Sequence, residues 1–71
     1  MSLGMGLDVE QDILDALADL GHATSIQVAY WRLQRKRQPL YGGAAIGLTM
    51  MRMEAQGRLR FDGHTYEVIT P

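Results

Sequence analysis

The stretch that most restricts this chain runs from Gly42 to Ile69, because helical spacing, a glycine stop and a tight hairpin signal follow one another without a gap. Ile46, Met50 and Met53 recur at helical spacing, and Gly57 supplies the residue best suited to the left-handed turn after a helix. The period then changes from 3.6 to 2. Arg58 to Phe61 and His64 to Ile69 flank Asp62-Gly63, a strong short-range hairpin signal. A two-residue loop there pairs Phe61 with His64, Arg60 with Thr65, Leu59 with Tyr66 and Arg58 with Glu67. That places Leu59, Phe61, His64, Tyr66 and Val68 on one face and Arg58, Arg60, Thr65 and Glu67 on the other. An isolated hairpin is marginal in water, so its apolar face must close onto the helices that precede it.

Those helices are legible upstream. Asp8 to Leu20 repeats Val9, Ile13, Leu14 or Leu17, Ala16 and Leu20 between acids, which predicts an amphipathic helix with Asp8 as N-cap and Gly21 as its end. Residues 1–7 are expected to be a flexible lead-in or a cloning remnant, and 8–71 a single domain. His22 and Ala23 form a connector that can add a third strand to the hairpin. Thr24 and Gln27 match a capping box, so a second helix starts near Ser25. Its apolar stripe is read as Ile26, Ala29, Tyr30 and Leu33, with Val28 and Trp31 as a second stripe. The helix closes on Arg32, Arg35, Lys36 and Arg37, and Gln38-Pro39 stops it.

A domain of 71 residues buries only about 60% of its extended surface, so partner chains help it. Its formal net charge of −1 hides a segregation: residues 1–21 carry five acids and no base, and residues 22–61 carry seven bases against Glu54 alone. The resulting surface is dipolar unless both sets are ordinary solvated faces. No cysteine is present, and no apolar run approaches the roughly 20 residues of a membrane span, which fits a cytoplasmic setting.

The order helix, short extended connector, helix, turn, helix, strand, turn, strand resembles the winged helix-turn-helix domains of bacterial transcriptional regulators, including the PadR-like group. The resemblance covers about residues 8–70. Its most specific part is MMRMEAQGRL, Met50 to Leu59, which is similar to a leucine-x-x-leucine-glutamate run ending in glycine and an apolar residue that opens the wing. Here methionines stand at the two leucine positions, with Glu54, Gly57 and Leu59 at the others.

The fold class implied is mainly α with a small β-hairpin: three helices plus a two- or three-stranded antiparallel wing. The resemblance also implies a small regulator binding double-stranded DNA, with Gly43 to Gln56 as recognition helix and Arg58 to Glu67 as wing. Gly43, Ala44 and Ala45 would let the backbone approach a phosphate closely, and Arg58 and Arg60 would project together from the wing. Arg35, Lys36 and Arg37 would add phosphate contacts that carry no sequence information. The solvent side of the reading helix is expected to hold Ala44, Ala45, Leu48, Met51, Arg52 and Ala55, of which only Arg52 can make a bidentate contact to guanine. Weak specificity of this kind favours a homodimer engaging two half-sites.

The competing reading is a protein-interaction module docking through Leu48, Met51 and Trp31, with the cations incidental. Trp31 reads first as a core residue and second as an interface anchor. Catalysis has little support: His22 and His64 lack metal-ligand spacing, there is no thiol, and Gly42-Gly43-Ala44 lacks the lysine and spacing of a phosphate loop. No cofactor, metal or membrane partner is expected.

Overall fold

The computed structural model describes residues 5–36 and 43–69. Three helices, α1 (Met5–Leu20), α2 (Ser25–Lys36) and α3 (Gly43–Ala55), are followed by strands β1 (Leu59–Phe61) and β2 (Tyr66–Val68). This is the winged-helix arrangement expected from the element order.

α1 begins at Met5, earlier than the acid at position 8 suggests, so Asp8 is not its N-cap and residues 5–7 belong to the helix. Residues 1–4 lie outside the described residues. α1 buries Val9, Ile13, Ala16 and Leu17, while Leu20, expected in the core, is exposed. The helix closes with the Gly21 amide donating to the Leu17 carbonyl at 2.8 Å.

The capping box at α2 forms reciprocally: the Thr24 amide donates to Gln27 Oε1 at 2.8 Å, and the Gln27 amide to Thr24 Oγ1 at 3.2 Å. The buried face of α2 is not the one its apolar spacing suggests. Ile26 and Tyr30 are 78% and 65% exposed and Leu33 is also outward, whereas Val28 and Arg32 are buried. The reason is electrostatic: Arg32 Nε donates to Asp12 Oδ2 at 2.8 Å, and with its charge met, the aliphatic stem of Arg32 packs one turn after Val28 as an apolar residue would.

α3 buries Ile46, Thr49, Met50 and Met53. Thr49 hides its hydroxyl by donating to the Ala45 carbonyl at 2.7 Å. Gly47 faces Ser25 at the start of α2, where an added Cβ would lie 3.7 Å from the serine Oγ. The helix ends in a Schellman arrangement, with Arg58 N–H donating to Met53 O and Gly57 N–H to Glu54 O. Gly57 takes φ +79°, a left-handed conformation that a side chain would strain. That turn delivers Leu59, 1% exposed, into the core formed by α1, Ala23, Val28 and α3. Full burial of a side chain such as Ile13, Met50 or Leu59 stabilises by about 1.5–3 kcal/mol before entropy is counted.

The hairpin pairs Leu59 with Val68, Arg60 with Glu67 and Phe61 with Tyr66, two residues out of step with the pairing a two-residue Asp62-Gly63 loop would give. The cause is the side chain of Asp62. Its Oδ1 accepts the amides of His64 and Thr65, each at 2.8 Å, so the aspartate precedes the bend and Gly63, at φ +94°, opens it. An even slip keeps each strand residue on its expected face, and the Phe61 and Tyr66 rings meet at 4.5 Å. His64 moves instead to the exposed tip. Ala23 adds the anticipated third-strand stub, exchanging both backbone hydrogen bonds with Tyr66 at 2.9 and 3.0 Å.

The two amides, Thr65 first, hold the Asp62 carboxyl below the usual carboxylate range. A carboxyl so depressed contributes stability at pH values above its unfolded value and loses it as pH falls through the lower folded one. The His64 and Thr65 amide resonances should therefore stay constant through the ordinary carboxylate range and move only at more acidic pH. Movement at the ordinary value would show that the carboxylate is not the acceptor.

Candidate nucleic-acid interface

α3 presents Ala44, Leu48, Met51, Arg52 and Ala55 to solvent, with Ala45 half-buried, which is the face anticipated for a reading helix. The three buried apolar positions on its opposite side hold it against α1 and α2. Gly43 is its first residue. Small residues at its start leave the backbone open to close approach, and Arg52 extends from its last turn.

The cations are organised by carboxylates. Arg35 Nη2 lies 2.9 Å from Asp19 Oδ2, Arg58 Nη1 2.8 Å from Glu10 Oε1, and Arg60 Nε 2.7 Å from Glu67 Oε2, in addition to the buried Arg32–Asp12 pair. The acidic first helix and the basic later chain thus meet across three contacts, so the two charge blocks of the sequence partly cancel locally. Among the described residues, Arg52 is the one arginine without an ion pair. The pairs of Arg35, Arg58 and Arg60 are surface pairs with guanidinium side chains 41–65% exposed, worth at most about 1 kcal/mol each. A phosphate can compete for those guanidinium groups. The Arg32 pair is sealed and takes no part.

Arg58 and Arg60 do not project as a free couple: Arg58 reaches back to α1, while Arg60 crosses the hairpin to Glu67. Lys36 enters only as the last residue of α2, and Arg37 lies outside the described residues, as do Tyr41 and Gly42. Trp31 is half-buried with Nε1 donating to Asp19 Oδ2 at 2.8 Å, and the Arg35 guanidinium sits 4.7 Å from its ring centroid. Asp19 therefore holds Trp31 and Arg35 together. Trp31 lines a groove to which α3 contributes no residue, so it is not grouped there with Leu48 and Met51.

Sequence spacing missed the acid partners because they lie 16, 20 and 48 positions away. The signal for one of them was present: Arg32 follows Val28 by one helical turn, and Asp12 sits beside Ile13 on the core side of α1. Among the described residues no cluster of His, Asp and Glu is placed to hold a metal ion, and no helix is long and apolar enough to cross a membrane. Comparison with protein-family models, curated proteins and solved structures returns no match.

Proposed function

We propose that this domain binds double-stranded DNA as a small transcriptional regulator in a cytoplasmic setting. α3 enters the major groove by its outward face, and the wing meets the backbone. The observation that carries this reading is the open face of α3, slim at Ala44 and Ala45 and tipped by Arg52, followed directly by a hairpin bearing Arg58 and Arg60 at exposed positions. Arg52 supplies the one guanidinium able to read a guanine from that face, and Leu48 supplies apolar contact to thymine methyls. The remaining cations position the domain without reading sequence.

Random-sequence duplex should be retarded at low salt and released steeply as salt rises. Arg58→Ala and Arg60→Ala should each weaken all sequences alike and flatten the logarithmic salt slope by about 0.9. Arg52→Ala should also reduce any preference among sequences. Folded protein that shows no salt-sensitive retardation would overturn the proposal.

A second reading is favoured by one observation: Leu48 and Met51 are 67% and 58% exposed on the same helix face. On this reading the winged domain docks an apolar protein surface through α3, without Trp31. Leu48→Glu would then abolish partner capture while DNA retardation stayed absent in the unmodified chain.

A further inference from the structure

We infer that Glu10 of α1 is a positioning residue for DNA binding: it clamps the Arg58 guanidinium at Nη1 and leaves the Nε–Nη2 edge for a phosphate. This role rests on the DNA reading above and brings into it a residue of the acidic first helix. Glu10 Oε1 accepts from Arg58 Nη1 at 2.8 Å, and Gln56 Oε1 stands 3.5 Å from the same nitrogen. Both contacts fall on Nη1. Nε and Nη2, which make up the side edge of the guanidinium, have no hydrogen-bond partner among the described residues. That edge carries two parallel N–H groups, the arrangement that matches a pair of phosphate oxygens. A phosphate can therefore take it without displacing Glu10.

The rest of Arg58 is fixed as well. Its amide donates to the Met53 carbonyl at 2.9 Å, and its carbonyl accepts the Ile69 amide at 3.2 Å. Arg58 thus stands where α3 passes into the wing, held by its backbone on both sides and by Glu10 at its tip. Its side chain is 41% exposed against 18% for Glu10, so the clamp lies on the inner side and the guanidinium stays within reach of a ligand. Arg60 differs, because its partner Glu67 belongs to the same hairpin and occupies Nε, which breaks up the side edge. Immobilising a long side chain on binding costs free energy, and a guanidinium ordered beforehand has already met that cost. The Glu10 charge acts in the opposite sense, since a carboxylate repels a phosphate. Variants that remove the charge in both cases, with and without an acceptor oxygen, separate geometry from charge.

Glu10→Gln keeps an acceptor of the same reach, whereas Glu10→Met keeps the length and supplies none. Fluorescence anisotropy with a short random-sequence duplex at low salt should show Glu10→Met binding about three- to tenfold more weakly than Glu10→Gln, the ordering cost of one long side chain. In an Arg58→Ala background the two should bind alike, a result that a merely structural role for Glu10 would not give. Should Glu10→Met fail to fold by circular dichroism, Glu10→Ala provides the same comparison. Equal affinities of the two variants would overturn the inference and leave the DNA reading standing, as would tighter binding by Glu10→Met or a gap that persists without Arg58. Folded protein that binds no duplex, unmodified or substituted, would overturn both.

Discussion

Asp12→Ala should remove most of the domain's stability and bring it close to its unfolding midpoint in buffer at room temperature. Arg32 and Asp12 have side chains only 3% and 6% exposed, so removing the carboxylate takes an anionic partner from a guanidinium held in the core. Breaking a buried pair in this way costs about 3–5 kcal/mol. A domain of this length has on the order of 5 kcal/mol in total, so the loss is comparable with its whole stability. Replacing both partners by apolar residues of similar volume, Asp12→Leu with Arg32→Met, should recover most of the loss, because no charge is then left buried. Urea unfolding followed by circular dichroism measures both variants. If Asp12→Ala costs less than about 1 kcal/mol, comparable to a surface pair, the sealed character of the contact is refuted.

The second large effect separates two adjacent methionines. Met50 is 0% exposed and Met51 58%. Met50→Ala should therefore cost about 2–5 kcal/mol through lost contacts and the cavity left behind. Met51→Ala should stay within about 0.5 kcal/mol, as surface changes usually do. The same urea titration reads the difference. Equal costs, or the reverse order, would mean that α3 is rotated about its axis, and the face assigned to DNA would turn inward with it.

The elements governed by local chemistry were legible in the sequence. The 3.6-residue spacing of Ile46, Met50 and Met53, the glycine at 57 and the Thr24–Gln27 box each act within a few positions, and each took the anticipated form. The outward face of α3 followed from the same spacing. Features that depend on a side chain choosing a distant or unusual partner were not legible. Asp62 captured two amides in place of opening the loop, which moved the strand pairing. Arg32 went inward because Asp12 awaited it from a helix 20 positions away, and this turned Ile26 and Tyr30 to solvent. The cations among the candidate DNA contacts are legible one by one along the chain, beside Gly43, Ala44, Ala45 and Leu48 of α3. How far carboxylates restrain them was hidden, because Glu10 and Arg58 are 48 positions apart.

The double backbone clasp between Ala23 and Tyr66 makes the final hairpin a bracket tied to the body near its turn, as well as by the chain that enters at Leu59. Its arms cannot swing independently of the connector between the first two helices. Whatever surface the third helix meets, the bracket arrives beside it at a fixed spacing, so the pair works as a calliper whose jaw width is set when the chain folds.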